Sequence, residues 1–170
     1  MNILFVAAEV APFVSVGGLS QVMYFLHQAL RKLEHDVRMF TPKYGTMDTN
    51  PPKGKAWNLT MEYEGLAVPT GKSTDMLICN IKSYRDKNKM LSSYFLENRE
   101  YYELRANVFG YVDDHVRFAL LSKGCLEWLL QVNSSGSGWW PDIIHCNDWH
   151  SGYLIELARK DGRYRKIFAK

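Results

Sequence analysis

Cysteine is scarce in this chain. The three that occur, Cys79, Cys125 and Cys146, are an odd number with no C-x-x-C spacing, so neither a disulfide framework nor a zinc site is indicated. Long apolar runs are missing too. Nothing approaches the roughly 20 residues that cross a bilayer, and Glu9 interrupts the first apolar run early. The start carries no basic segment and no small-residue cleavage site, so no secretory leader is expected. Neither sign of charge dominates: 21 Lys+Arg face 18 Asp+Glu, net +3. The one basic cluster, Arg163, Arg165 and Lys166, reads as solvated surface, which argues against a nucleic-acid partner. The expectation is a soluble cytoplasmic protein with no membrane and no nucleic-acid partner. A hydrophobic content of 46% over 170 residues is enough for one real core.

What is present begins at the N-terminus. Asn2 to Ala7 is a nearly continuous apolar run, as in a strand buried on both faces of a parallel sheet. Gly17 and Gly18 follow it, and then Val22, Phe25, Leu26, Ala29, Leu30 and Leu33 recur at helical spacing, predicting one buried stripe. Ser20 is expected to cap that helix, and Arg31 and Lys32 suit its C-terminal dipole. Asp36 to Pro42 reads as the next strand and completes a β-α-β unit. Bare backbone N–H groups and a helix N-terminus then meet at the glycine pair, a setting suited to an anionic group such as a sugar-nucleotide pyrophosphate. The connecting loop, about Glu9 to Leu19, is longer than a dinucleotide-binding turn, and G-x-G-x-x-G is absent, so a nicotinamide reading is disfavoured. Two glycines that merely let the chain turn are the plainer alternative.

The middle is less regular. Thr49 to Gly54 reads as a turn-rich link, and Trp57 to Tyr63 with Leu66 to Thr70 as a hairpin around Glu64-Gly65. Thr74 to Lys82 and Ser93 to Leu96 read as strands, with a charged turn at Asp86 to Lys89 between them. A long helix is expected from Asp113 to about Val132, capped by Asp113 or Asp114, with Val116, Leu120, Lys123 and Leu126 or Glu127 near one line. After a flexible loop at Ser134 to Gly138, Pro141 to Asn147 predicts another buried strand and Ser151 to Arg159 another helix. Lys166 to Lys170 resembles a strand beginning, as though the sheet continued in a longer enzyme. Gly71-Lys72-Ser73 mimics the end of a phosphate-binding P-loop, but Leu66 stands where its first glycine belongs. No metal is expected, because His145, Cys146 and His150 have no second cluster to complete a site.

Asp148, Trp149 and His150 follow the strand DIIHC directly, so they sit at the carboxyl edge of the sheet, where ligands of open α/β sheets gather. The glycine loop follows a strand at the same edge, so the two can converge. A histidine there can hydrogen-bond a sugar hydroxyl or a phosphate oxygen, and Asp148 can hold the ring or cap the following helix.

Four blocks carry a specific resemblance: AAEVAPFVSVGGLSQV, YFLENREYYE, VFGYVDDHVRFALLSKGCLEWL and WPDIIHCNDWHSGYL. In order and over nearly the whole chain, they resemble the N-terminal half of bacterial glycogen synthases and plant starch synthases, retaining glycosyltransferases with two Rossmann-like domains. The resemblance implies an α/β fold: a Rossmann-like open parallel sheet with helices on both faces, the N-terminal half of a GT-B glycosyltransferase. Residues 1–170 would form that domain, incomplete at its C-terminal end, with the nucleotide-binding C-terminal domain absent. It implies transfer of glucose from ADP-glucose or UDP-glucose to the non-reducing end of an α-1,4-glucan, with no cofactor. The partners implied are the donor, the α-glucan acceptor and the missing C-terminal domain in cis, so the 170 residues alone are expected to be inactive.

By position, the resemblance places Gly17 and Gly18 beside the donor phosphates and His150 on the donor glucose. It sets Asp113 near the sugar subsites and Glu9 at the start of the loop that shapes the cleft. Retention in the commonly proposed scheme needs no protein nucleophile, since the departing phosphate assists attack on the same face. The chain departs from the family's K-x-G-G-L-G-D-V: Ser15 stands for lysine, Ser20 for glycine and Gln21 for aspartate. Serine cannot carry the charge that stabilises a leaving pyrophosphate. That departure leaves open a related glycosyltransferase with another acceptor, or a non-catalytic glucan-binding module.

Overall fold

The computed structural model describes residues 1–49, 57–71, 74–86, 92–136 and 139–168. Six strands form one sheet: β1 (Asn2–Val6), β2 (Asp36–Pro42), β3 (Thr60–Pro69), β4 (Met76–Arg85), β5 (Ser92–Glu97) and β6 (Ile143–Cys146). Their order is β3-β4-β5-β2-β1-β6. The β5, β2, β1 and β6 strands run parallel, with Phe5 opposite Met39 and His145, whereas β4 is antiparallel to both β5 and β3. The architecture is therefore α/β with a mostly parallel sheet, as the sequence implies.

Two helices fix the layers. Helix α1 (Gly18–Lys32) joins β1 to β2, and α3 (Asp114–Ser135) lies between β5 and β6 in the chain; a single turn of helix, α2 (Thr46–Thr49), follows β2. The first crossover steps from β1 towards β2, and the second steps back across β2 and β1. Right-handed crossovers in opposite directions put their helices on opposite faces. The α3 helix packs on β2, β3 and β5, while α4 (Gly152–Lys160) and α5 (Gly162–Phe168) pack against α3. Leu4, Val6, Val37, Phe40, Phe95 and Leu96 are fully buried between the layers, each removing roughly 1.5–3 kcal/mol of apolar surface from water.

Several local expectations fall differently. The buried face of α1 is Ser20, Met23 and His27, with Leu26 and Leu30 beside it; Val22, Phe25 and Leu33 are exposed. The helix has apolar residues on two sides, and only packing on β2 selects one. Ser20 is no cap. Gly17 occupies that position, and Ser20, inside the first turn and fully buried, donates back to the Gly17 carbonyl at 2.9 Å.

There is no hairpin at Glu64-Gly65, since β3 runs through it. Gly65 takes a φ of +74° at a register shift against β4 and donates its N–H to Asn80 Oδ1. A glycine in left-handed conformation makes a bulge there rather than a reversal. The β6 strand is half-exposed at the sheet's edge rather than buried, with Ile143 open to solvent. Lys166 to Phe168, expected to begin a strand, belong to α5, whose start is held by Asp161 Oδ1 accepting from the Arg163 N–H. The middle of α3 is buried around most of its circumference, so no single line describes it. Most of the link at 49–54, the turn at 86–89, residues 72–73 of the P-loop mimic and residues 137–138 lie outside the described residues.

Candidate functional site

The β1 and β6 strands pair in parallel, so the loops that leave them begin side by side at the carboxyl edge, where ligands of open α/β sheets gather. Asn147 ties their roots together. Its N–H and its Nδ2 both donate to the Val6 carbonyl, and Nδ2 also reaches the carbonyl of His145.

After β1 the chain turns through a cis Ala11–Pro12 peptide towards the glycine pair. The backbone donors there are not bare. Glu9, 2% exposed, accepts from Val16 N–H at 2.6 Å and Gly17 N–H at 2.9 Å, both through Oε2. A Cβ on Gly17 would come within 3.3 Å of Glu9 Oε1, so the missing side chain lets the carboxylate close on the loop. Around Gly18, by contrast, nothing lies within 4 Å of a Cβ position, which leaves open space at the start of α1. Ser15 Oγ is held by Ser20 Oγ at 2.7 Å.

After β6, Asp148 adopts φ +66° and ψ 173°, a region that glycine alone occupies comfortably. Its Oδ1 accepts from the Trp149 N–H at 2.6 Å, capping the short 3-10 turn Trp149–Ser151. That turn drives the His150 ring inward against Phe118, Phe109 and Trp149, at centroid distances of 4.6, 4.8 and 4.1 Å. The ring is 6% exposed, and its Nδ1 has no hydrogen-bond partner among the described residues. Asp148 Oδ2 stands 3.9 Å away. Burial lowers the imidazole's pKa, outweighing the opposing pull of Asp148, Glu9 and Asp114, so the ring is neutral at pH 7. The His150 ring, on the loop after β6, feels the Glu9 carboxylate on the loop after β1.

Asp113 lies at the start of α3. It is paired with Arg105 at 2.6 Å, and only its carbonyl, not its side chain, serves α3. Asp114 does more locally, accepting from the N–H groups of Gly110 and Tyr111 and pairing with Arg117 at 2.5 Å. Burial opposes its ionisation, but these donors hold its carboxyl below the usual range.

Arg117, fully buried, was not anticipated from the sequence, nor were the two phenylalanines. Its guanidinium bonds the carbonyls of Tyr101 and Val108 and anchors the loop that carries Phe109. The only sequence signal was an arginine three residues after Asp114, the spacing of a helical ion pair.

A cleft of about 220 Å³ opens beside Ser15 and Val16, walled by Thr46 after β2 and by Ala106, Asn107 and Val108. No lysine or arginine is among the described residues lining it. Lys43, nearby in sequence, is buried in ion pairs with Asp48 and Glu103. Among the described residues no three His, Cys, Asp or Glu side chains are grouped to hold a metal ion, and no helix is long and apolar enough to cross a membrane.

Residues 2–170 match the family described as the starch synthase catalytic domain. The chain is 36% identical over 165 residues to a glycogen synthase of Clostridium kluyveri, covering 94% of this chain and 30% of that protein. To a glycogen synthase of Geobacillus stearothermophilus it is 34% identical over 169 residues, covering 99% and 32%. In structure it is similar to the catalytic domain of starch synthase IV from Arabidopsis thaliana bound to ADP and acarbose, with a TM-score of 0.79, 28% identity and coverage of 96% and 31%. The chain thus spans about a third of the length of the relatives it matches.

Proposed function

The chain belongs to the starch synthase catalytic domain family, and from that premise we propose that it is the N-terminal part of a retaining α-glucan glucosyltransferase. It transfers glucose from ADP-glucose or UDP-glucose to the non-reducing end of an α-1,4-glucan, and needs a C-terminal domain that is not among these residues. The observation that carries this reading is that the Glu9-braced glycine loop and the Asp148-Trp149-His150 turn leave the paired parallel strands β1 and β6 at the same edge of the sheet.

In this reading Glu9 shapes the loop rather than touching the reacting atoms. Its carboxylate fills two backbone donors and leaves the open space at Gly18 for the donor phosphates. His150, neutral and wedged between aromatic rings, offers a ring nitrogen to a hydroxyl of the donor glucose. Asp148 orients the turn that presents it. Asp113 lies at the sugar subsites only if its pairing with Arg105 opens when substrate enters.

The leaving diphosphate needs a positive group, and Ser15, engaged with Ser20, supplies none. The cation therefore comes from outside the described residues that line the cleft. The same observation favours one second reading, a glycosyltransferase of this family with another acceptor.

The test is glucose incorporation into glycogen by the longest natural chain carrying this segment, with ADP-glucose and UDP-glucose side by side. Turnover with either donor is expected, and none from the 170 residues alone. A folded long chain that turns over neither donor would overturn the synthase reading in favour of another acceptor or a non-catalytic glucan-binding module.

A further inference from the structure

One buried cation at the carboxyl edge of the sheet has no role in the proposed reaction. Lys43 directly follows β2, and its N–H donates to the Leu96 carbonyl at 2.9 Å, so the pairing of β2 with β5 reaches it. Its side chain is 5% exposed, and its ammonium stands among three carboxylates. It is bound to Asp48, donates to Glu103 Oε1 at 2.6 Å and lies 4.0 Å from Glu97. Glu97 has partners of its own in Lys82 and Asn80, so Lys43 answers chiefly Asp48 and Glu103. Burial opposes the charge, but these two carboxylates hold the ammonium's pKa above the ordinary lysine value.

The two carboxylates come from separate parts of the lining of the cleft beside Ser15. Asp48 is on α2, the turn of helix that also carries the lining residue Thr46. Glu103 ends the π-helical turn Arg99–Glu103, shortly before the lining residues Ala106, Asn107 and Val108. Arg117 braces that second segment near both ends, bonding the carbonyls of Tyr101 and Val108 at 2.8 and 3.0 Å. The two parts also touch through their backbones at Gly45, where a Cβ would lie 2.1 Å from the Glu103 carbonyl oxygen.

Charge explains the arrangement. Two carboxylates bound to one ammonium repel each other once it is gone. Such a cluster is a weak source of stability, since desolvation offsets much of the attraction. Its effect falls instead on the spacing of the two segments that it joins.

We infer that Lys43 is a positioning residue: its ammonium clamps α2 to the segment after β5 and so sets the width of the cleft that admits the nucleotide sugar. That the cleft takes the donor rests on the function proposed above.

The test uses the longest natural chain, with ADP as the binding probe. Lys43→Met removes the charge at similar side-chain length and leaves Asp48 facing Glu103. The hydrogen-bonded amides of Met47 and Asp48, and of Tyr102 to Leu104, are expected to exchange about tenfold faster, with the remaining amides unchanged. The Kd for ADP and the KM for the nucleotide sugar should each rise about tenfold, while the KM for glycogen stays at its wild-type value. Adding Asp48→Asn removes the repulsion and should return both readouts most of the way to wild type. Wild-type exchange in both segments of Lys43→Met would overturn the clamp. So would a uniform loss of protection over the whole chain that Asp48→Asn does not reverse. Loosened segments with wild-type ADP affinity would overturn its bearing on the donor. Loosened segments and weakened ADP binding, in a long chain that transfers glucose from neither donor, would sustain the clamp while refuting the transferase reading. If Lys43→Met does not fold, Asp48→Asn alone frees α2 by changing a side chain that is 61% exposed, and the same readouts judge it.

Discussion

His27 makes the fold sensitive to acid. It sits on the buried face of α1, 0% exposed, and neither ring nitrogen has a hydrogen-bond partner among the described residues. Burial and the nearby Arg31 lower its pKa from 6.5 to about 4. The Val37 backbone, Asp86 and Asp36 work the other way without cancelling this. Because the folded value lies below the unfolded one, the unfolded chain takes up the proton first. The stability held by neutral His27 is complete above pH 6.5 and is lost as pH falls towards 4. At about 1.4 kcal/mol for each factor of ten, the loss at pH 4 is about 3 kcal/mol, a large share of the stability of a domain this size. Urea unfolding of wild type and His27→Leu at steps from pH 7 to pH 4 isolates the contribution. Other titrating groups, His150 included, act in both proteins and cancel in the difference. The variant is expected to match or exceed wild type at pH 7, since two unpaired ring nitrogens leave the core. The gap should then widen by about 3 kcal/mol by pH 4. Parallel curves over that range would refute the reasoning, because they would mean that His27 finds a partner or water when folded.

Two further outcomes follow from backbone geometry. A Cβ on Gly45 would lie 2.1 Å from the Glu103 carbonyl oxygen, whereas one on Gly18 meets nothing within 4 Å. Gly45→Ala should therefore cost about 2–3 kcal/mol or more in urea unfolding, and Gly18→Ala should leave stability within about 0.5 kcal/mol of wild type. If the space at Gly18 admits donor phosphates, Gly18→Ala also lowers kcat/KM for the nucleotide sugar in the long chain; unchanged kinetics would refute that use of the space. At Asp148, φ is +66°, a strain of about 1–3 kcal/mol for a residue with a Cβ. Asp148→Ala and Asp148→Gly both lose the cap on Trp149, but only alanine keeps the strain, so Asp148→Ala should be the less stable of the two by about 1–2 kcal/mol. Equal melting of the two would show that the backbone relaxes on its own.

The sequence by itself determined the elements whose cause is local. The apolar run after Met1 and the run from Asp36 to Pro42 read as strands of a parallel sheet, and β1 and β2 lie where those runs lie. That the glycine pair and the D-W-H turn lie at one edge of the sheet was legible, because each follows a parallel strand, and β1 and β6 pair directly.

Tertiary structure decided whatever depends on a partner distant in sequence. Period alone gave α1 two apolar sides, and packing on β2 chose the one with Met23 and His27. Glu64-Gly65 looked like a reversal until pairing with β4 made it a bulge. The amides at the glycine loop looked free until the fold closed Glu9 upon them. Support for His150 comes from Phe109 and Phe118, set in place by a buried arginine that bonds carbonyls up to sixteen residues away. A hydrophobic pattern records how much of a residue must be buried. Which neighbour covers it, and which charge a carboxylate answers, is fixed only when separate segments of the chain are brought within a few ångströms.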